Sequence, residues 1–404
     1  MTTDQATVEG VDAPVLDIDP YSMGVLENPY AFHETLRETG PVVRIKPHDV
    51  YAVGRHEEAR IVLSDYKRFS TAAGIGIQDI RKPGLFRVPS KLLEVDPPAH
   101  TTVRAALTKV LTPMVIRQWR QKFETEAERV VAAAVAKGEV DGVSELAEAY
   151  VFTVFPMAIG VQIPRKEILA IGEMRFNQTG PANDLYHAAM ARAQPYMAWF
   201  ENSCERSAVQ PGSIGDLVFE QEAAGAIEAG VASNIIRSFV GGGTDSTISG
   251  IGFALNQLAR NTDQWAVAKA EPARIKSALD EAIRYEAPFQ VTYRTTTGPV
   301  ELSGIRLDPQ TKVGVFLGAA NRDPRKWQQA DKFDLTRQTA GVHLAFGTAD
   351  HVCIGQMLAR LEAECLLAAL VKGVKSIELA GTPKYRIMNQ MRTLDHLPLR
   401  LVGA

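Results

Sequence analysis

The sequence predicts a mainly α fold with a small β portion, built as one compact unit over residues 1–404. Apolar residues recur with helical period from about Pro98 to Glu286, a span that no β-rich chain would sustain. Strand candidates are few and short, and they cluster toward the two chain ends. No fixed-period repeat, low-complexity tract or Ser/Gly linker divides the chain.

Taken in order, the stretch Met1 to Pro20 carries Asp4, Glu9, Asp12, Asp17 and Asp19 and no basic residue. That is the wrong charge and hydropathy for a signal or transit peptide, so an irregular N-terminal segment over 1–20 and a cytoplasmic location are expected. Pro41–Ile45 and Val50–Val53 flank the turn-like Lys46-Pro47-His48-Asp49 and predict a hairpin. Ser70–Pro98 resists a regular assignment because of Gly74, Gly76, Pro83, Gly84, Pro89, Pro97 and Pro98. Within the helical block, Ser233–Leu258 reads as one long apolar helix. Gln290–Thr297, Val300–Leu302, Val313–Phe316 and Leu397–Val402 read as further strands, in hairpins and not in a wound parallel sheet. Asn321–Cys353 is the second irregular stretch, and long irregular segments inside a compact chain usually carry function.

A chain of 404 residues can bury a core around a large prosthetic group. With 46% hydrophobic and 23% charged residues and a net charge of −3, it has no field that would attract nucleic acid or a membrane surface. No apolar run approaches the roughly 18–20 residues of a spanning helix, and Val130–Ala136 is only a patch in an amphipathic pattern. The three cysteines show no C-x-x-C pair and no zinc or disulfide spacing, which fits a reducing compartment. Cys204 and Cys365 read as small buried hydrophobes. Dinucleotide, P-loop, nucleophile-elbow and H-E-x-x-H signatures are missing, so a redox enzyme of this sequence would draw electrons from a separate protein.

Cys353 has a different setting. It stands alone between Gly347 and Gly355, at a loop that leads into the apolar helical pattern Leu361–Val371. Unpaired N–H groups and the positive end of a helix dipole favour thiolate there, and a single thiolate suits one axial position on a metal. Phe346-Gly347, His351, Cys353 and Gly355, followed by Leu358-Ala359-Arg360, resemble the haem-binding loop of the cytochrome P450 superfamily. The resemblance implies the P450 fold, haem b as cofactor, Cys353 as its axial ligand, and Phe346 and Gly347 against the haem. The family usually has glycine where Ala349 stands; alanine serves there while φ stays negative.

Other motifs support the resemblance. Glu281-Ala-Ile-Arg284 puts two charges on one helix face and is similar to the family's buried Glu–Arg pair. A further Arg from Asn321-Arg322-Asp323-Pro324 or Phe333-Asp334-Leu335-Thr336-Arg337 is implied to join it, in a structural role. Asp96-Pro97-Pro98-Ala99-His100 with Arg104 resembles D-P-P-x-H-x-x-x-R. This implies that His100, Arg104, Arg294 and His351 hold the haem propionates by charge-assisted bonds.

Gly241-Gly242-Gly243-Thr244-Asp245-Ser246-Thr247 interrupts the long apolar helix. Each glycine costs about 1 kcal/mol relative to Ala in a helix interior, so the run requires close approach of a ligand or a local opening. It resembles the family's oxygen groove. The implied roles are proton delivery through water by Asp245, and a hydroxyl toward dioxygen from Ser246 or its neighbour Thr247. Threonine is usual at the Ser246 position, and serine loses the methyl that restricts χ1.

One face of the same helix also carries Arg237-Ser238, and Arg87-Val-Pro-Ser90 lies in the irregular segment before His100. Two Arg–Ser pairs would clamp a carboxylate; otherwise Arg237 pairs with a structural acid and Arg87 is exposed. The pattern resembles the branch that oxidises para-substituted benzoates, notably by O-demethylating 4-methoxybenzoate, with Phe176 as an aromatic wall and Gly241 replacing a polar residue. The implied partners are dioxygen and an iron–sulfur ferredoxin with its NAD(P)H-dependent reductase. A peroxygenase or hydroxylase of another small acid such as a fatty acid is the enzymatic alternative. A haem-thiolate sensor, which would not need the groove, is the non-enzymatic one.

Overall fold

The computed structural model describes residues 12–83, 88–338 and 340–404. Its spine is the helix Val231–Arg260, buried along most of its length, as its nearly unbroken apolar surface requires. Around it pack Ala149–Ile159, Arg165–Asn177, Ile214–Ala223 and Ala278–Glu286. Behind these, Gln356–Gly373 lies against Arg120–Lys137. One apolar core runs through the whole helical assembly, from Leu92 to Leu401.

The strands expected at Pro41–Ile45, Val50–Val53, Gln290–Thr297, Val300–Leu302, Val313–Phe316 and Leu397–Val402 are present as Val43–Ile45, Val50–Val53, Val291–Thr296, Val300–Leu302, Lys312–Phe316 and Pro398–Gly403. Val43–Ile45 and Val50–Val53 pair antiparallel as the expected hairpin, but two other pairings are parallel. The largest sheet has six strands and is mixed, because Val15–Leu16 runs parallel to Val43–Ile45 and Val50–Val53 runs parallel to Lys312–Phe316. The second of these pairs joins segments separated by the entire helical block, and a local pattern cannot reveal such a crossover. Val300–Leu302 and Ile305–Leu307 do form a hairpin, over Ser303 and Gly304 with φ of 48° and 80°, a primed turn matched to strand twist.

The N-terminal segment, expected to be irregular to residue 20, contributes the edge strand Val15–Leu16. Tyr30–Thr39 and His56–Ser64 are helices ahead of the expected helical block; the apolar Phe32 and Leu36, and Ala59, Val62 and Leu63, face inward. Gly142–Ile159 is long and apolar enough to cross a membrane by composition, contrary to expectation, yet most of it is buried inside the protein as a core helix.

Fully buried charge fixes the segment that precedes the cysteine loop. Arg284 Nε and Nη2 donate to Glu281 at 2.7 and 2.8 Å, and neither side chain is exposed. The remaining guanidinium hydrogens reach the carbonyls of Asn321, Ala330 and Lys332, each at 2.9 Å. Glu281 also accepts from the Asp334 N–H at 3.0 Å and from Arg337 Nε at 3.2 Å. Arg337 is therefore the third member; Arg322 instead stacks on Tyr30 and Tyr285, 4.2 and 4.0 Å from the ring centres.

Removing one partner of a buried pair strands the other. Arg284→Met is therefore expected to lose about 3–5 kcal/mol of stability, read as a lower denaturant midpoint, with Arg284→Lys recovering only a minor part because an ammonium lacks the planar fork.

Candidate functional site

The glycine run of the long helix faces the Cys353 loop across a cavity of about 350 Å³. The loop is built by short backbone bonds: Gly347 N–H donates to Leu344 O at 2.9 Å and Cys353 N–H to Phe346 O at 2.7 Å. Gly347 sits at φ 69°, and a Cβ there would meet the His351 carbonyl at 3.1 Å, so glycine is needed on both counts. Ala349 corrects the expectation: its φ is +53°, a left-handed conformation that costs an L-residue roughly 1–2 kcal/mol.

Side chains brace the loop from outside. Arg104 Nη1 donates to the Val352 carbonyl at 2.7 Å. The Arg360 guanidinium lies 4.7 Å over the Phe346 ring and grips Asp280 at 2.8 Å. His343 takes the Ala345 N–H on Nδ1 at 3.1 Å, so Nε2 carries the proton shared with Asp280 at 3.1 Å. Burial pushes the Cys353 thiol up, while the Gly355 and Gln356 N–H groups, Arg104 and Arg360 act against it. The donors expected from the sequence are in place, but for the thiol alone burial outweighs them; a metal cation at sulfur would reverse that balance.

Beside the loop stand His100, Arg104, Arg294 and His351, all lining the cavity. The His100 and His351 rings are 4.2 Å apart. Burial, with Arg294 and His100, drives His351 down to about 3, and burial brings Arg294 to about 10. His100 Nε2 is buried without a hydrogen-bond partner. The nearby acid, Asp96, is engaged by Ser70 and Thr71. Burial and the neighbouring arginines thus hold the two histidines toward the neutral form, and the two carboxylates of a haem would supply the negative charge that offsets this. The residues present therefore fit haem.

The helix Val231–Arg260 continues unbroken through the glycines, so of the two alternatives the local opening is not found. Each glycine has its own reason. A Cβ at Gly243 would lie 2.8 Å from Phe155 Cζ, one at Gly241 would lie 2.7 Å from Arg175 Nε, and Gly242 has open space. Ser246 and Thr247 line the cavity, and Ser246 Oγ donates to Gly242 O at 2.7 Å. Asp245 does not face the cavity. Its carboxyl is fully buried against Gly172, in a small separate pocket with Arg386, Glu148 and Thr393. Burial raises it to about 7, against the pull of Arg386 and with help from Glu148 and Glu173.

Ser90 Oγ and Ser238 Oγ lie 3.1 Å apart, and both residues line the cavity. Phe176 lines it too, edge-on to Phe289 at 6.1 Å. Arg237 departs from the predicted clamp: it lies outside the lining and pairs with Glu205 at 3.1 Å, the structural-acid alternative. Arg87 falls outside the described residues. Cys204 and Cys365 are buried thiols pushed up to about 11 and 12 by burial.

Three charged lining residues escaped sequence reasoning, and one of them, Glu94, accepts from the Ser90 N–H at 3.0 Å. Arg175 sits between Met174 and Phe176 and reaches the cavity at Gly241. Glu362, on the helix after Cys353, is fully buried with neither carboxylate oxygen hydrogen-bonded to the protein, and burial pushes its carboxyl well above the usual carboxylate range. Its acid residue in an apolar helix was the available signal.

The family model described as Cytochrome P450 matches residues 274–394. Cytochrome P450 CYP199A2 of Rhodopseudomonas palustris is 41% identical over 98% of this chain and 96% of its own length. 6-Deoxyerythronolide B hydroxylase of Saccharopolyspora erythraea is 28% identical over 93% of this chain and 96% of its own. Among solved structures, cytochrome P450 CYP109Q5 from Chondromyces apiculatus superposes with a TM-score of 0.81 at 29% identity, covering 96% of this chain and 99% of that one.

Two measurements probe this geometry. Asp245, raised to about 7, keeps in the folded chain a proton that the unfolded chain releases, so stability falls as pH rises from about 4 to about 7 and is flat beyond. Asp245→Asn lacks that loss, and its advantage in thermal denaturation should grow by ~3 kcal/mol between pH 5 and pH 8. Gly242→Ala should raise the melting temperature by helix propensity, about 1 kcal/mol, while narrowing the cavity and weakening ligand binding in a spectral titration.

Proposed function

The chain belongs to the cytochrome P450 superfamily, and on that premise we propose that Cys353 holds the iron of its haem b and that its substrate is a small aromatic carboxylic acid. A para-substituted benzoate such as 4-methoxybenzoate is the substrate class, and O-demethylation or hydroxylation the reaction. The observation that carries this reading is the paired hydroxyls of Ser90 and Ser238, 3.1 Å apart in a cavity whose lining is largely apolar. Polar groups so placed in an apolar pocket fix the orientation of one polar end of a ligand.

Bound haem with a thiolate ligand supplies the activation of dioxygen and the insertion of one oxygen atom. The chain's own residues do the rest. His100, Arg104, Arg294 and His351 take the propionates. Ser90 donates to the substrate carboxylate, joined by Ser238 once its hydroxyl turns from the Asn234 carbonyl, and Phe176 with Phe289 restrains the ring, so the para substituent points toward the Gly242 groove. Position then selects the bond attacked. Oxygen insertion at a para methoxyl C–H gives a hemiacetal, which loses formaldehyde.

Asp245 holds a proton at a carboxyl whose pKa lies near neutrality, the range suited to giving and regaining it. The next two residues in the chain, Ser246 and Thr247, line the cavity, and the Ser246 proton rests on Gly242 O. Electrons come from an iron–sulfur ferredoxin and its NAD(P)H-dependent reductase.

Titration of the purified holoenzyme tests the reading. 4-Methoxybenzoate should shift the haem spin state at concentrations where its methyl ester has little effect; an equal response to both would remove the carboxylate site.

A further inference from the structure

A cavity that binds an anion in a low-dielectric setting needs a cation within reach, and Arg237 is not part of the lining. Among the described lining residues, the cationic types are His100, Arg104, Arg294 and His351 beside the Cys353 loop, and Arg175. Arg175 stands apart from that group. It leaves the helix Arg165–Asn177 next to Phe176 and crosses the long helix at Gly241, where a Cβ would lie 2.7 Å from its Nε and 3.2 Å from its Cζ. Glycine at 241 is what admits the guanidinium.

Ser238 precedes Gly241 by one helical turn on the same face, and its hydroxyl is 3.1 Å from that of Ser90. Two hydroxyls and one planar cation thus line the same cavity, with Ser238 one helical turn from the glycine that Arg175 crosses. A guanidinium fork matches a carboxylate in shape as well as charge.

We infer that Arg175, and not Arg237, supplies the positive charge for the substrate carboxylate held by Ser90 and Ser238, and so sets the preference for acids; this deepens the aromatic-acid reading and rests on it. A ligand without the carboxylate gains nothing from Arg175, while a carboxylate without Arg175 enters apolar surroundings unneutralised.

The test titrates holoenzyme, Arg175→Met, Arg175→Lys, Arg237→Met and Gly241→Ala with 4-methoxybenzoate and with its methyl ester, following the haem spin state. Arg175→Met should weaken acid binding about 10- to 100-fold, the range of a hydrogen bond to a charged group, and leave the ester's affinity unchanged. Unchanged ester binding also shows that the pocket is intact. Arg175→Lys should regain part of the loss. Gly241→Ala, which pushes the guanidinium aside, should reproduce the selective loss, and Arg237→Met should keep the parent's acid-to-ester ratio. If the parent prefers the acid and Arg175→Met keeps that preference, this assignment is overturned and the acid reading stands. If the parent does not distinguish acid from ester, the acid reading itself fails.

Discussion

The architecture depends on an ion pair that water never reaches. Glu281 and Arg284 are both fully buried, and together they engage three carbonyls and one N–H of the segment from Asn321 to Asp334. A charge placed there without every partner would cost several kcal/mol, so the geometry is tightly specified. That segment has little regular structure of its own. It nonetheless delivers the chain to His343, and from there to the loop that carries Cys353, in one fixed position. A second layer of charge, Asp280 with Arg360 and His343, extends the same helix's hold to the loop itself.

Across the cavity the opposite principle operates, because position is set by missing side chains. Gly241 and Gly243 let Arg175 and Phe155 approach the long helix closely, and Gly242 leaves room beside the Cys353 loop. The helix bears the cost of three glycines without unwinding. Charge is divided along the cavity in the same economical way, with four cationic types beside the cysteine loop and Arg175 apart from them. Aromatic and aliphatic side chains make up most of the remaining lining.

Much of the site was legible because its chemistry is local in the chain. Cys353, His351 and Gly347 lie in one loop, His100 and Arg104 on successive turns of one helix, and Glu281 and Arg284 on one helix face. Their spacing alone places them together. What failed were statements about direction. Arg237 and Ser238 are adjacent, yet one turns out to Glu205 and the other into the cavity. Asp245 precedes Ser246 directly but faces a different pocket, and Ala349 adopts a positive φ that a residue type cannot announce.

By itself the sequence determined that this is a mainly helical haem-thiolate protein with a glycine-lined groove and a cysteine at the mouth of a helix, since helical period, motif spacing and residue chemistry are properties of neighbours in the chain. Only the tertiary structure decided which of two arginines completes the buried pair, that Val50–Val53 lies parallel to Lys312–Phe316, and that Arg175 reaches the cavity through the gap at Gly241. Those outcomes depend on contacts between segments far apart in the chain, where shape and charge are matched only after the helices have packed.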